Sequence, residues 1–304
     1  MKHNLRSKLI IGGAVALVLV LLGAAFLAPR QIGTNNKLKL VAAENFWGSV
    51  AAQIGGDRVE VTSIITDPEV DPHLYETGAK DASAITNADI VVLNGRGYDE
   101  FVEKLLAGSP RNNRVVITAA DIINLDDNAN PHLWYDLPRT GIIATQIEQE
   151  LSKKDPAGSA TYKANLDAFL DAMQPLLNKL GAISAAHAGA PVAYTERVPQ
   201  YLIERANLTI KSPASFASAI EEGNEPSPAD QAAMLELITK KQIRVLFYNA
   251  QAESLVTEKI RQAAEMHNIP VVAVTETIPP QYTTYQAWQL AQLDALWQAL
   301  ENTK

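Results

Sequence analysis

Two of the five histidines in this 304-residue chain share one setting. Asp71-Pro72-His73-Leu74-Tyr75 and Asn130-Pro131-His132-Leu133-Trp134 both follow the pattern Asp or Asn, Pro, His, Leu, aromatic. Proline restricts the backbone ahead of each imidazole, and the preceding Asp or Asn can accept a hydrogen bond, so each motif can present a preoriented ring nitrogen. Two carboxylates occupy matching places further along: Glu196 closes PVAYTE and Glu276 closes PVVAVTE, each just past an apolar, β-branched run. Taken singly, such residues are ordinary turn histidines and helix-capping or surface glutamates. The repeat and the symmetric placement argue instead for ligands. His73, His132, Glu196 and Glu276 would offer about four to six nitrogen and oxygen donors, a set suited to Zn2+, Mn2+ or Fe2+ rather than Ca2+ or Mg2+.

Other chemistries find little support. The chain has no cysteine, which excludes disulfide scaffolds, thiolate metal sites and cysteine nucleophiles. It contains no HExxH and no GxSxG, and Asn94-Gly95-Arg96-Gly97 lacks the further residues of a dinucleotide or phosphate loop. His3 precedes an apolar segment, while His187 and His267 fall near helix ends, where an imidazolium simply complements the dipole. Ser227-Pro228-Ala229-Asp230 reads as a helix cap. Phe46, Trp47, Trp134 and Tyr135 could wall a cleft, although core packing is the commoner use of such rings, and Tyr248-Asn249 could stand behind the ligands. Two alternatives stay open at this point. A metal-dependent hydrolase also uses histidines and carboxylates, but a catalytic zinc keeps an open position beside typically three protein ligands. A binding protein for a metal chelate would use the histidines as lining.

The elements that must position these residues fall into two similar sets. LKLVAA, VEVTSII, DIVVLNG and RVVITAA are short β-branched runs separated by helix-like stretches, and PVAYTE, LTIKS, RVLFYN and PVVAVTE repeat the pattern later. The expectation is an α/β fold: two α/β lobes joined by a single long helical spine, with the metal site in the cleft between them, where open α/β sheets bind ligands. His73 and His132 would come from the first lobe (residues 37–154), Glu196 and Glu276 from the second (190–304). The spine (155–189) opens with Asp155 as N-cap and Pro156 at the first helical position. It carries Leu166, Phe169, Leu170, Met173, Leu176, Leu177, Leu180 and Ile183 at three- and four-residue steps and stops at Gly189. Pro175 inside the pattern predicts a bend.

Residues 1–36 read as a signal peptide or membrane anchor plus linker. Leu9 to Ala28 is twenty residues without a charge, enough to span about 30 Å as a helix, and basic residues precede it. Cleavage after Gly23-Ala24-Ala25 would make it a signal peptide, and its retention would make it an anchor; either way the folded part is expected outside the cytoplasm. Lys2, Arg6, Lys8 and Arg30 fall in the first thirty residues with no acid, leaving 22 basic against 34 acidic residues in the remainder. So acidic a body repels nucleic acid and attracts cations.

From residue 37 onward the chain resembles the zinc/manganese solute-binding proteins of ABC importers. The resemblance rests on Asp71-Pro72-His73-Leu74-Tyr75-Glu76, on Pro131-His132-Leu133-Trp134, on YTERVPQYL around Glu196 and on VTETIPP around Glu276. It implies a non-catalytic receptor that takes Zn2+ or Mn2+ through His73, His132, Glu196 and Glu276 and delivers it, as a monomer, to a membrane permease driven by a cytoplasmic ATPase. Zinc relatives usually carry a third histidine where this chain has Glu196, and manganese relatives commonly carry Asp where it has Glu276. Relatives tethered through a lipidated cysteine differ too, since any tether here would be the apolar segment.

Overall fold

The computed structural model describes residues 37–68, 70, 72 and 75–303. The apolar segment at 9–28, His3 and His73 lie outside the described residues. In the first lobe the order is β1 (Leu38–Glu44), α1 (Asn45–Gly55), β2 (Val59–Ile65), α2 (Ala79–Asn87), β3 (Ile90–Leu93), α3 (Glu100–Gly108), β4 (Val115–Thr118), α4 (Ala119–Ile122) and α5 (Leu137–Lys154). The spine is α6 (Ser159–His187). The second lobe follows as β5 (Pro191–Tyr194), α7 (Gln200–Arg205), β6 (Thr209–Ile210), α8 (Ala214–Glu221), α9 (Pro228–Thr239), β7 (Val245–Asn249), α10 (Leu255–Met266), β8 (Val271–Val274) and α11 (Tyr285–Glu301).

Each lobe holds a four-stranded parallel sheet, in the orders β2-β1-β3-β4 and β6-β5-β7-β8. Alternation along the strands sorts the side chains into two layers, as a period of two demands. Leu40, Ala42, Ile90, Val92 and Ile117 enter one core, and Val41, Ala43, Val91 and Leu93 enter another. Both faces are therefore covered, which is why the strands read as apolar runs rather than alternating ones. The strand order reverses between β1 and β3 and again between β5 and β7, so each lobe has a switch-point crevice at its carboxyl strand ends.

The spine helix runs 29 residues, about 44 Å. Leu166, Phe169, Met173, Leu176, Leu180 and Ile183 are buried along one stripe and belong to a core that includes strands of both lobes. Pro175 sits on the exposed face, within a helix assigned without interruption on both sides of it. The helical run opens where its N-cap signal puts it, with Asp155 at the N-cap position and Pro156 first, and becomes α-helical at Ser159. Asp155 precedes a single 3-10 turn, Pro156–Gly158, and its side chain caps nothing. Its carboxylate is taken by Arg58, at 2.8 Å from Nε and 2.6 Å from Nη2, and by the Tyr162 hydroxyl at 2.8 Å. A charge-assisted pair outcompetes a single backbone N–H. Ser227 does cap α9, accepting from the Asp230 N–H at 3.1 Å.

Candidate metal centre

His132 lies in the loop between α4 and α5, immediately before a 3-10 turn, and is fully buried. Asn130, two residues earlier, aims its Oδ1 at 2.6 Å from the ring Nδ1 and also takes the His132 backbone N–H at 3.1 Å. An amide oxygen can only accept, so a proton is held on Nδ1 and Nε2 is the nitrogen turned toward the site. That Nε2 stands 3.5 Å from Oε2 of Glu276. Asn130 spends its amide Nδ2 on the carbonyl of Arg197, at 2.8 Å, and its own carbonyl on the Tyr201 hydroxyl, at 2.7 Å. The histidine motif of the first lobe is thereby fastened to the residue after Glu196 in the second.

Glu196 and Glu276 lie two residues beyond the ends of β5 and β8, both buried. Asn249, the last residue of β7, is the strand neighbour between them and donates from Nδ2 to both, to Oε2 of Glu196 and to Oε1 of Glu276 at 2.8 Å. Tyr98 donates its hydroxyl to Glu276 Oε2 at 2.9 Å, and the Gln251 side chain accepts from the Glu276 and Thr277 backbone. Of the pair Tyr248-Asn249 only Asn249 reaches the site. Successive strand residues face opposite ways, and Tyr248 packs on the other face beside Arg261. Among the described residues no three His, Asp or Glu side chains are already gathered into a metal centre. What is gathered is His132 beside Glu276, with Glu196 linked to Glu276 through Asn249.

The aromatic residues are core rather than open cleft wall. Phe46, Trp47, Trp134 and Tyr135 are all fully buried; Trp134 stacks on Phe46 at 4.1 Å and meets the His132 ring edge-on at 5.2 Å. They fix the imidazole plane by contact. Three acids sit together in this low-dielectric setting: Glu276, Glu44 at the end of β1, and Asp99. Burial first, and Asp99 second, hold the Glu44 carboxyl well above the usual carboxylate range. Burial likewise pushes Asp99 up to about 6, against the backbone N–H groups of Gly95 and Asn94 that donate to it. Burial, then Glu276 and Glu44, raises the Tyr98 hydroxyl, so it stays a proton donor. Tyr98, Glu44 and Asp99 are absent from the sequence reading. Tyr98 and Asp99 follow β3 in a glycine loop, and the only signal they gave was that strand-end position.

A cavity of about 520 Å3 adjoins the centre at Tyr98 and Pro131 and is closed on the second lobe by Arg197 and Glu221–Gly223. Arg197 is held by Glu221 through two hydrogen bonds, at 2.7 and 2.8 Å, and Arg96 by Asp121 at 2.8 Å. Elsewhere His187 is buried at the end of α6, 3.0 Å from Glu301, and His267 caps the end of α10.

Residues 40–299 match the family described as zinc-uptake complex component A periplasmic, ZnuA. The chain belongs to the ZnuA family. It is 25% identical over 280 residues to the manganese ABC transporter substrate-binding lipoprotein scaA of Streptococcus gordonii, covering 85% of this chain and 87% of that one. Over 166 residues it is 30% identical to the manganese-binding lipoprotein MntA of Halalkalibacterium halodurans, covering 53% and 55%. The periplasmic zinc-binding protein TroA from Treponema pallidum has the same fold, with a TM-score of 0.75 at 17% identity over 87% of this chain and 99% of that one. So does FpvC from Pseudomonas aeruginosa, solved in complex with Mn2+, with a TM-score of 0.75 at 24% identity over 88% and 100%. The two lobes and long connecting helix of this ZnuA-family chain are thus the architecture its sequence predicts.

Proposed function

We propose that this ZnuA-family chain captures one divalent transition-metal ion, Zn2+ or Mn2+, with His73, His132, Glu196 and Glu276 as ligands, and releases it to an ABC permease powered by a cytoplasmic ATPase. The chain is an extracytoplasmic, metal-binding substrate-binding protein of an ABC metal importer. The observation that carries the ligand assignment is the buried pairing of His132 Nε2 with Glu276 Oε2 at 3.5 Å, with Nδ1 anchored on Asn130 and Glu196 joined through Asn249. Such an arrangement sets an imidazole nitrogen beside a carboxyl oxygen, donor types that suit a borderline cation. The receptor acts without catalysis, as a monomer, and binds no nucleic acid, its 34 acidic residues repelling phosphate. Release requires the permease to favour a state that coordinates the ion more weakly, because a ligand shifts an equilibrium only by its differential affinity.

Elemental analysis tests this. The purified chain is stripped of metal and re-equilibrated with a mixed pool of Mn2+, Fe2+, Co2+ and Zn2+, beside His73→Ala and Glu276→Ala. One ion per wild-type chain, lost in both variants, is the expected result. Wild type that retains no metal, or variants that retain it fully, would sink the assignment.

A further inference from the structure

The two sheets repeat one topology, and their registers can be compared residue by residue. Between β1 and β3, Ala42 pairs with Val92; two residues on, that register sets Glu44 opposite Asn94. Between β5 and β7, Tyr194 pairs with Phe247; two residues on, it sets Glu196 opposite Asn249. Glu44 is therefore the first lobe's counterpart of Glu196, each glutamate facing an asparagine across its own switch point.

The two glutamates differ in what they receive. Glu196 accepts from the Asn249 amide. The Asn94 amide is spent on the Pro131 carbonyl at 2.7 Å, and its oxygen accepts from the Trp47 indole at 3.3 Å. Glu44 is fully buried, and its carboxyl group has no partner beyond its own backbone N–H and the Asp99 carboxyl. It stands at the N-cap of α1, yet its side chain does not cap that helix. The side chains that act on it are other acids, Asp99 and Glu276, and Tyr98 feels both Glu44 and Glu276 while donating to the latter. A buried carboxyl among acidic neighbours keeps its proton until a cation arrives to replace it, so a divalent ion held nearby would complete its surroundings.

We propose that Glu44 is a further oxygen donor to the captured metal ion, contributed by the first lobe at the position that Glu196 holds in the second. The proposal rests on the receptor reading above. It adds a hard oxygen ligand from the first lobe and raises the carboxylate count from two to three. A more oxygen-rich set moves the preference toward Mn2+ and away from Zn2+ relative to the four-ligand site.

The test compares the full chain with Glu44→Gln, Glu44→Asp and Glu276→Ala. Each is stripped of metal, checked for folding by circular dichroism, and titrated with Mn2+ and Zn2+ against a chromophoric chelator. The Co2+-loaded forms are compared by visible absorption, whose intensity follows coordination number and donor type. Glu276→Ala is expected to lose metal. Glu44→Gln is expected to bind Mn2+ about tenfold or more weakly, as loss of a close metal-site partner does, with a smaller loss for Zn2+ and an altered Co2+ spectrum. Glu44→Asp keeps the buried acid but withdraws its oxygens by one methylene, and should move in the same direction. If both Glu44 variants keep Mn2+ and Zn2+ affinities within about twofold of wild type, well short of that partner effect, with an unchanged spectrum while Glu276→Ala loses metal, the role of Glu44 is refuted and the receptor reading stands. A wild type that binds neither ion refutes the reading and the Glu44 proposal with it.

Discussion

Asn249 does for two carboxylates what Asn130 does for one imidazole. By donating to Oε2 of Glu196 and Oε1 of Glu276 it sets the rotation of both groups and turns Glu276 Oε2 toward His132. Removing it should leave the proposed ligands present but poorly aimed. Asn249→Ala is expected to lower metal affinity by about 10–100-fold, the usual effect of losing a partner that orients ligands, while the one-ion stoichiometry persists; chelator competition measures both. At this scale the sequence was legible where a residue advertised itself locally. His132 stood out because its pentapeptide recurs, and Glu196 and Glu276 because each closes a β-branched run. Glu44 closes a run just as they do, in LKLVAAE, but a glutamate before a helix has an ordinary explanation, and only the strand register removes it. Tyr98 donates to a residue 178 positions away, and no local pattern reports such a bond.

The elements were read well because their signals are local too. All eight strands follow apolar, β-branched stretches, and the spine follows a regular three- and four-residue stripe. At the foot of that helix Arg58, 97 residues upstream, claims the Asp155 carboxylate. This contact makes a pH prediction. Burial alone would raise the Asp155 carboxyl, but the hydrogen bonds from Arg58 and Tyr162 outweigh it and hold the group below the usual carboxylate range. A depressed folded-state value means that the unfolded chain binds the proton more readily. The stabilisation is therefore fully present above the unfolded value near pH 4 and is lost as pH falls through the lower folded value. Asp155→Asn should lower the apo Tm modestly at pH 7 and reduce its decline below pH 4, as followed by circular dichroism across a pH series. An unchanged acid limb would show that the pair at the foot of the spine does not contribute.

At the scale of the whole molecule, residues 37–304 form one compact unit rather than two, and a single core takes in strands of both sheets and the spine stripe. The last helix, α11, closes that core. Its Tyr285 donates twice into the first lobe: the backbone N–H to Ser49 Oγ in α1 at 3.0 Å and the hydroxyl to the Trp134 carbonyl, two residues past His132. Trp288 donates to Thr275 Oγ1, next to Glu276, at 3.1 Å, and Lys179 of the spine pairs with Asp294 at 2.6 Å. The final seventeen residues of regular structure thus brace the loops of the candidate site from both halves of the chain. A truncated chain ending at Tyr282 should be far more protease-sensitive than the intact one and retain no metal; a resistant, metal-loaded fragment would contradict this. Export threads a polypeptide through the membrane from its N-terminus, so the first lobe emerges well before the segment that completes it. Until α11 follows, the core that the two sheets share lacks the helix that closes it.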